Sequence, residues 1–240
     1  MKNIAIIGAG ITGITTAYQL CERGYTVSVF DFNRYAAMET SFAIGGQLSA
    51  CTAEVWNSWS TIGKGIQWML KKDAPLLFNP KLNFHKIGWL LSFISNIPNH
   101  KKNTILTAKM AIESRDEFKR ILKIEKINLD LEEKGIMHLC DNYDSLKHGR
   151  RVNKWLAEAG LIRKEVTLDE MLSIEPTLNL KNFVGGFYTK SDMSGDIHTF
   201  TKKLAEICKI NNVKFYYETI IDDIIHKHDT IELEFESKSL

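Results

Sequence analysis

An unbroken apolar run, Asn3 to Ile7 (NIAII), leads straight into Gly8-Ala9-Gly10-Ile11-Thr12-Gly13, and that G-x-G-x-x-G turn feeds a segment of helical periodicity. Five residues of this composition read as a parallel strand buried on both faces. Residues 12–23 read as a helix with Ala17 and Leu20 toward the sheet and Gly24 as its stop, and residues 25–31 (YTVSVFD) as the next strand. Strand, turn, helix and strand make a βαβ unit with a right-handed crossover, so the fold class is α/β with a Rossmann-like parallel sheet. The three glycines have separate tasks: Gly8 permits the tight turn, Gly10 removes a Cβ where a pyrophosphate approaches, and Gly13 lets helix and strand pack closely. The helix N-terminus offers unpaired N–H groups and partial positive charge to phosphates. Asp31 ends the second strand 21 residues after Gly10, where its carboxylate accepts from ribose hydroxyls and repels a 2′-phosphate. Ile7, Gly8, Ala9, Gly10, Ile11, Thr12, Gly13 and Asp31 are therefore the candidate cradle of a dinucleotide. The motif alone leaves open which dinucleotide it holds.

Composition narrows the rest. Of 240 residues, 44% are hydrophobic and 25% charged, enough for a packed core, and 31 Lys+Arg against 29 Asp+Glu give a net charge of +2, too little for a nucleic-acid partner held by a basic field. Cys21, Cys51, Cys140 and Cys208 form no CxxC pair, which argues against a metal site or a disulfide framework and for a reducing, cytoplasmic setting. The N-terminal apolar run is followed by Glu22 and Arg23 without an A-x-A site, so it is not read as a signal peptide. The stretch Ile87 to Pro98 (IGWLLSFISNIP) is too short to span a bilayer. It reads as a buried core helix or, with Trp89 between Lys86 and Lys101, as a helix lying in a membrane interface, the core reading being preferred.

Residues 37–61, rich in Gly, Ser, Thr and Ala, read as a long functional loop with short helical pieces. Residues 104–127 read as an amphipathic helix whose stripe is Leu106, Met110, Phe118, Ile121 and Leu122. Further elements are a strand at 134–140, helices at 144–159 and 168–174, a glycine-kinked strand at 183–189, a helix at 197–210, and strands at 213–217 and 230–236. The pair His226 and His228, with Asp222-Asp223 beside it, reads as a solvated turn, and Lys147-His148-Gly149-Arg150-Arg151 as a surface face. Tyr188 and His198 are placed either near a substrate carboxylate or in packing and capping. No nucleophile elbow or Cys/His nucleophile context is visible.

The loop Glu39-Thr40-Ser41-Phe42-Ala43-Ile44-Gly45-Gly46-Gln47-Leu48-Ser49 resembles that following the second strand in the D-amino acid dehydrogenase small-subunit family, within the FAD-dependent D-amino acid oxidase and glycine oxidase superfamily. The similarity continues through Ile66 to Leu76, Ser114-Arg115-Asp116, Val184-Gly185-Gly186-Phe187, Ser191 to Asp196 and Val213-Lys214-Phe215. It implies an extended FAD with its pyrophosphate on Gly8 to Gly13, its ribose on Asp31, Ser41 with Gly46 and Gln47 near the pyrophosphate or flavin, and the strand near Val213 with Ile220 or Ile221 at the adenine. It further implies an FAD-binding first part over 1–80, a substrate (cap) domain over 81–190, and a return to the FAD domain over 191–240. The implied reaction is oxidation of a D-amino acid such as D-alanine by hydride transfer to flavin N5, releasing a 2-oxo acid and ammonia, with electrons passed to a quinone or other respiratory acceptor at the inner membrane. The resemblance points to no catalytic acid or base. Ile44 stands where family members commonly carry Asn. Family members also continue past the last strand into one that lies beside the first, so Asn3 to Ile7 is expected to be an exposed edge here, and activity to need a chain that supplies the missing half. The alternatives are an inactive remnant, or a related glycine or sarcosine oxidase or glycerol-3-phosphate dehydrogenase.

Overall fold

A computed structural model describes residues 2–69, 81 and 83–237. The chain forms two compact units: unit 1 comprises Met1–Gln47, Lys119–Glu132 and Ser194–Leu240, and unit 2 comprises Leu48–Phe118 and Glu133–Met193. Residues 48–69, grouped above with the first domain, thus fold with unit 2, and residues 119–132 with unit 1.

In unit 1, β1 (Asn3–Ile7), α1 (Ile11–Glu22) and β2 (Thr26–Phe30) form the expected βαβ unit, with β1 and β2 parallel in a register running from Asn3↔Thr26 to Ile7↔Phe30. Helix α1 buries Ile14, Ala17 and Tyr18; of the two residues expected to face the sheet, Ala17 is buried and Leu20 only half-buried. Later in the chain come β3 (Gln47–Leu48), α2 (Trp59–Met69), α3 (Phe84–Ser95), α4 (His100–Ile124), β4 (Leu131–Glu132), β5 (Ile136–Cys140) and α5 (Tyr143–Glu158). They are followed by β6 (Lys164–Val166), α6 (Leu168–Ile174), β7 (Gly185–Thr189), β8 (Met193–Gly195), α7 (Ile197–Ile210), β9 (Lys214–Tyr216), β10 (Thr219–His226) and β11 (Ile231–Ser237). The parallel sheet runs β1-β2-β9, with α7 beside α1 burying Phe200, Leu204, Ala205 and Cys208. The β10–β11 hairpin meets this sheet through Phe235, 5.4 Å from the Phe30 ring. Strand β10 was not anticipated; it carries the chain to His226, and His228 lies in the turn beyond it.

Strand β1 corrects the first expectation and meets the second. It is not covered on both faces, since Ile7 is 53% exposed and no residue of the strand is buried. Its position explains this: it is the outer strand, with β2 on one side and no described strand on the other. A cleft of about 1020 Å³ lies against this edge, lined by Ile4, Ala5 and Ile7 of β1 and by Ile224, Ile231 and Leu233 of the hairpin.

In unit 2, an antiparallel sheet β5-β7-β6 is backed by α5, whose capping box joins Asn142 and Ser145, and by α6, whose box joins Thr167 and Glu170. These boxes satisfy otherwise orphaned N–H groups and explain why both helix starts agree with their sequence patterns. The core gathers Ala50, Cys51, Ala108, Val152, Leu156 and Leu161. The stripe expected along α4 is only partly correct: Phe118 and Ile121 are buried, but Leu106 and Met110 are 56% and 57% exposed. Small residues, Thr104 and Ala108, take the inward positions on that stretch, and they allow closer packing than leucine or methionine. Helix α3 overturns the buried-core reading of its segment, because none of its residues is buried.

Candidate functional site

The site in unit 1 is assembled from backbone. Gly8 adopts φ +106°, which only glycine takes freely, and its N–H donates to Phe30 O at 2.7 Å, tying the turn to the end of β2. A Cβ on Gly13 would lie 1.9 Å from Gly8 O, so the close approach of helix and turn requires glycine there. Gly10 is the N-cap of α1 and has no side chain to cap it. Ser41 takes part of that role from 30 residues away: its buried hydroxyl accepts from Ile11 N at 3.0 Å, and a Cβ on Gly10 would sit 3.3 Å from it. The intrahelical ladder opens with Ile14 N on Gly10 O, so Thr12 and Gly13 N–H have no partner within the helix and face the ground where an anion is stabilised.

Asp31 closes the arrangement. Its Oδ2 accepts from Ala9 N at 2.6 Å and its Oδ1 from Asn33 N at 2.8 Å, while its own N–H and C=O bond to Tyr216 O and Thr219 N at 3.0 Å each. A carboxylate held by two backbone donors keeps further lone pairs for hydroxyl groups and places fixed negative charge beside the turn. Ala37 completes the frame with φ +68°, its N–H donating to Ala9 O and its C=O meeting His198 Nδ1 at 3.0 Å. His198 therefore anchors the loop after β2, with Phe42 edge-on at 4.8 Å.

Of the candidate residues, the structure brings Gly8 to Gly13, Asp31 and Ser41 together through the Ala9–Asp31 and Ile11–Ser41 hydrogen bonds, while Ile7 ends β1 and lines the cleft along its edge. Gly46 is held by Gly195, whose N–H donates to its C=O at 2.9 Å; at φ +62°, with Gly195 O 2.3 Å from a hypothetical Cβ, it is required to be glycine by packing. Gln47 is exposed at the start of β3, and Ile44 is 45% exposed. Val213 is buried, Ile220 and Ile221 lie in β10, and residues 70–76 of the Ile66 to Leu76 segment lie outside the described residues. Tyr188 donates to Lys134 O at 2.6 Å and covers Gly135, a packing role. The basic run on α5 is a paired surface, with Arg150 on Glu165 and His148 on Glu54.

Unit 2 contains a polar node that local sequence did not reveal. Asp192, fully buried, accepts from Cys51 N at 2.9 Å and from Arg115 at 2.9 Å, and Arg115 also reaches Ser191 Oγ at 2.8 Å. Cys51 Sγ lies 2.9 Å from His138 Nε2, and Arg163 donates to Cys51 O at 3.3 Å. Burial pushes the Cys51 thiol up to about 11, with the Asp192 carboxylate adding to the rise, and burial together with Arg163 holds the His138 imidazole below its ordinary range. A neutral thiol against a neutral imidazole is a structural hydrogen bond rather than an activated nucleophile. The only signal for this node was that Arg115 and Asp192 both lay in segments of family resemblance.

The comparisons agree with this geometry. A family model described as DAO, FAD dependent oxidoreductase, matches residues 3–237. D-amino acid dehydrogenase 3 from Mesorhizobium japonicum is 50% identical over 93% of this chain and 54% of its own length. D-amino acid dehydrogenase from Paramagnetospirillum magneticum is 33% identical over 95% of the chain and 55% of its own. The chain thus spans about half the length of the curated relatives it matches. Among solved structures, glycine oxidase from Geobacillus kaustophilus superposes with a TM-score of 0.67 at 18% identity over 98% of this chain and 52% of that one. L-alpha-glycerophosphate oxidase from Mycoplasma pneumoniae, with FAD bound, gives 0.63 at 17% identity over 100% and 51%. These structures share the fold. With the glycine turn, the strand-end carboxylate and a family match over nearly the whole sequence in agreement, the chain belongs to the DAO family of FAD dependent oxidoreductases.

Proposed function

We propose that this chain carries the FAD-binding portion of a D-amino acid dehydrogenase that oxidises substrates such as D-alanine to 2-oxo acids and ammonia. The observation that carries the reading is the turn itself: Gly8 to Gly13 with Asp31 and Ser41 fit an adenosine diphosphate, in a chain half identical to a D-amino acid dehydrogenase. In this reading the α1 N-terminus neutralises the pyrophosphate, Asp31 accepts from the ribose, and Gly46 and Gln47 line the path toward the flavin. Flavin held there would supply the hydride acceptor, and in this reading a quinone-type respiratory acceptor would take its electrons. The protein's own part is to fix the turn, exclude side chains from it and repel a 2′-phosphate.

The open edge of β1 gives the proposal a second half. Among the described residues β1 pairs on one side only, beside a cleft that Ile4, Ile7, Ile231 and Leu233 line together with Lys2, Lys227 and Asp229, and such an edge is a template for another strand; the reading assigns activity to an assembly in which a further segment pairs there. The test is the visible spectrum of the FAD-reconstituted chain, alone and with a segment supplying that strand, before and after anaerobic D-alanine. Bleaching by D-alanine and not L-alanine supports the reading; bound flavin that neither form lets D-alanine reduce contradicts it.

A further inference from the structure

The loop that follows β2 carries a strained residue at its centre. Buried Ala37 sits at φ +68°, in the left-handed region where a Cβ crowds the neighbouring carbonyl. A residue with a side chain keeps that conformation only where its surroundings hold it. Two hydrogen bonds do so: its N–H donates to Ala9 O at 3.0 Å, inside the glycine turn, and its C=O accepts from His198 Nδ1 at 3.0 Å, in the first turn of α7. The His198 ring meets the loop at two further points, Tyr35 edge-on at 6.4 Å before Ala37 and Phe42 edge-on at 4.8 Å after it. One imidazole thus spans residues 35–42, and within that span lies Ser41, whose hydroxyl accepts from Ile11 N at 3.0 Å.

Ser41 reaches α1 from a distant part of the chain, so its place is set by the path of the loop and not by the helix it caps. Gly10, the N-cap itself, has no side chain to stand in for it. Released from His198, Ala37 would relax toward the right-handed or extended regions, which redirects the chain leading to Ser41 and withdraws the Ala37 N–H from the glycine turn. We propose that His198 is a positioning residue for the cofactor cradle: by holding the Ala37 turn it keeps Ser41 on Ile11, and it thereby sets how tightly the pyrophosphate end of a flavin dinucleotide is retained. This rests on the flavin reading and adds to it a side chain from α7 that acts through Ala37 and Ser41. The strain gives the proposal a sharp consequence. Glycine adopts φ +68° freely, so Ala37→Gly should make His198 dispensable.

The test is a double-mutant cycle on the 240-residue chain: wild type, His198→Ala, Ala37→Gly and the two together, read by titration with FAD and with ADP and by hydrogen exchange of the Ile11 amide. His198→Ala should weaken both ligands by roughly tenfold, the scale of one lost hydrogen bond, and should speed exchange at Ile11. In the Ala37→Gly background the same change should weaken binding by less than about threefold and leave the exchange rate nearly unchanged. His198→Asn, whose side-chain amide can donate from the place of Nδ1, should recover most of the affinity. Far-UV circular dichroism checks each fold, and His198→Leu, which fills similar space without a donor, replaces His198→Ala should that variant not fold. Unchanged affinity and exchange on loss of the donor, or an equal loss in both backgrounds, would overturn the proposal. A wild-type chain that takes up neither FAD nor ADP would instead defeat the flavin reading. Exchange then decides the role of His198: an Ile11 amide freed by His198→Ala and protected again by Ala37→Gly upholds it, and an amide that does not respond overturns it.

Discussion

The two units stabilise polar groups by opposite means. In unit 1 the centre is main chain: Ala9 and Ile11 N–H find Asp31 and Ser41, the carbonyl of Gly8 fits under Gly13, and the turn is six consecutive residues. In unit 2 the centre is side chain: Asp192 collects Arg115 and the Cys51 N–H, and Cys51 in turn meets His138, from four separate segments. A backbone site tolerates ligand exchange because its donors are fixed by chain geometry. A buried ionic node is costly to break, since removing one partner leaves the other with fewer contacts away from water.

Substitutions should expose that contrast. The largest effect is expected at Asp192, where Ala would take the buried carboxylate from the Arg115 guanidinium, 11% exposed, leaving it Ser191 and the exposed Asp116 at 3.6 Å, and would orphan the Cys51 N–H, at a cost of about 3 kcal/mol. Urea unfolding measures it, and a loss below about 1 kcal/mol, the scale of a surface pair, would show that the node is not buried as described. Next is Gly13→Ala, whose Cβ would collide with backbone at 1.9 Å; the expected loss is about 1–3 kcal/mol, accompanied by poorer flavin retention. Ser41→Ala removes the acceptor for Ile11 N and should cost about 1 kcal/mol, with Ser41→Thr recovering part of it.

The smallest effect is one of pH. His138 is held below its ordinary pKa by burial first and by Arg163 second, so on acidification the unfolded chain takes up this proton before the folded one. Its contribution is complete above about pH 6.5 and is lost as pH falls through the lower folded value. Thermal midpoints of wild type and His138→Gln should therefore converge on acidification; parallel profiles would remove His138 from the account.

How much of this the sequence disclosed follows the same division. The βαβ unit, the turn and Asp31 were legible because contiguous residues and a fixed period encode them, and α6 was legible because Pro176 stops it. The edge position of β1 was legible only through family resemblance, since its composition is that of a covered strand. Leu106 and Met110 misled because periodicity finds a stripe without saying which face is turned inward, and Thr104 and Ala108 won the interior. The Cys51–His138 contact had no local signal, being a pairing of residues 87 positions apart. Strand β10 was missed because its Asp222-Asp223 pair, beside a bulge in the hairpin, imitates a turn.

The most direct measurement is a calorimetric titration of FAD, with ADP as competitor, into the folded wild-type chain and into Gly13→Ala. One site is predicted, shared by FAD and ADP, with affinity at least roughly tenfold weaker in the variant while its circular dichroism is retained, since closing the turn withdraws the N–H groups that meet the pyrophosphate. A folded wild-type chain that takes up no FAD, or a variant that binds it equally well, would contradict the claim that this turn is the cofactor cradle.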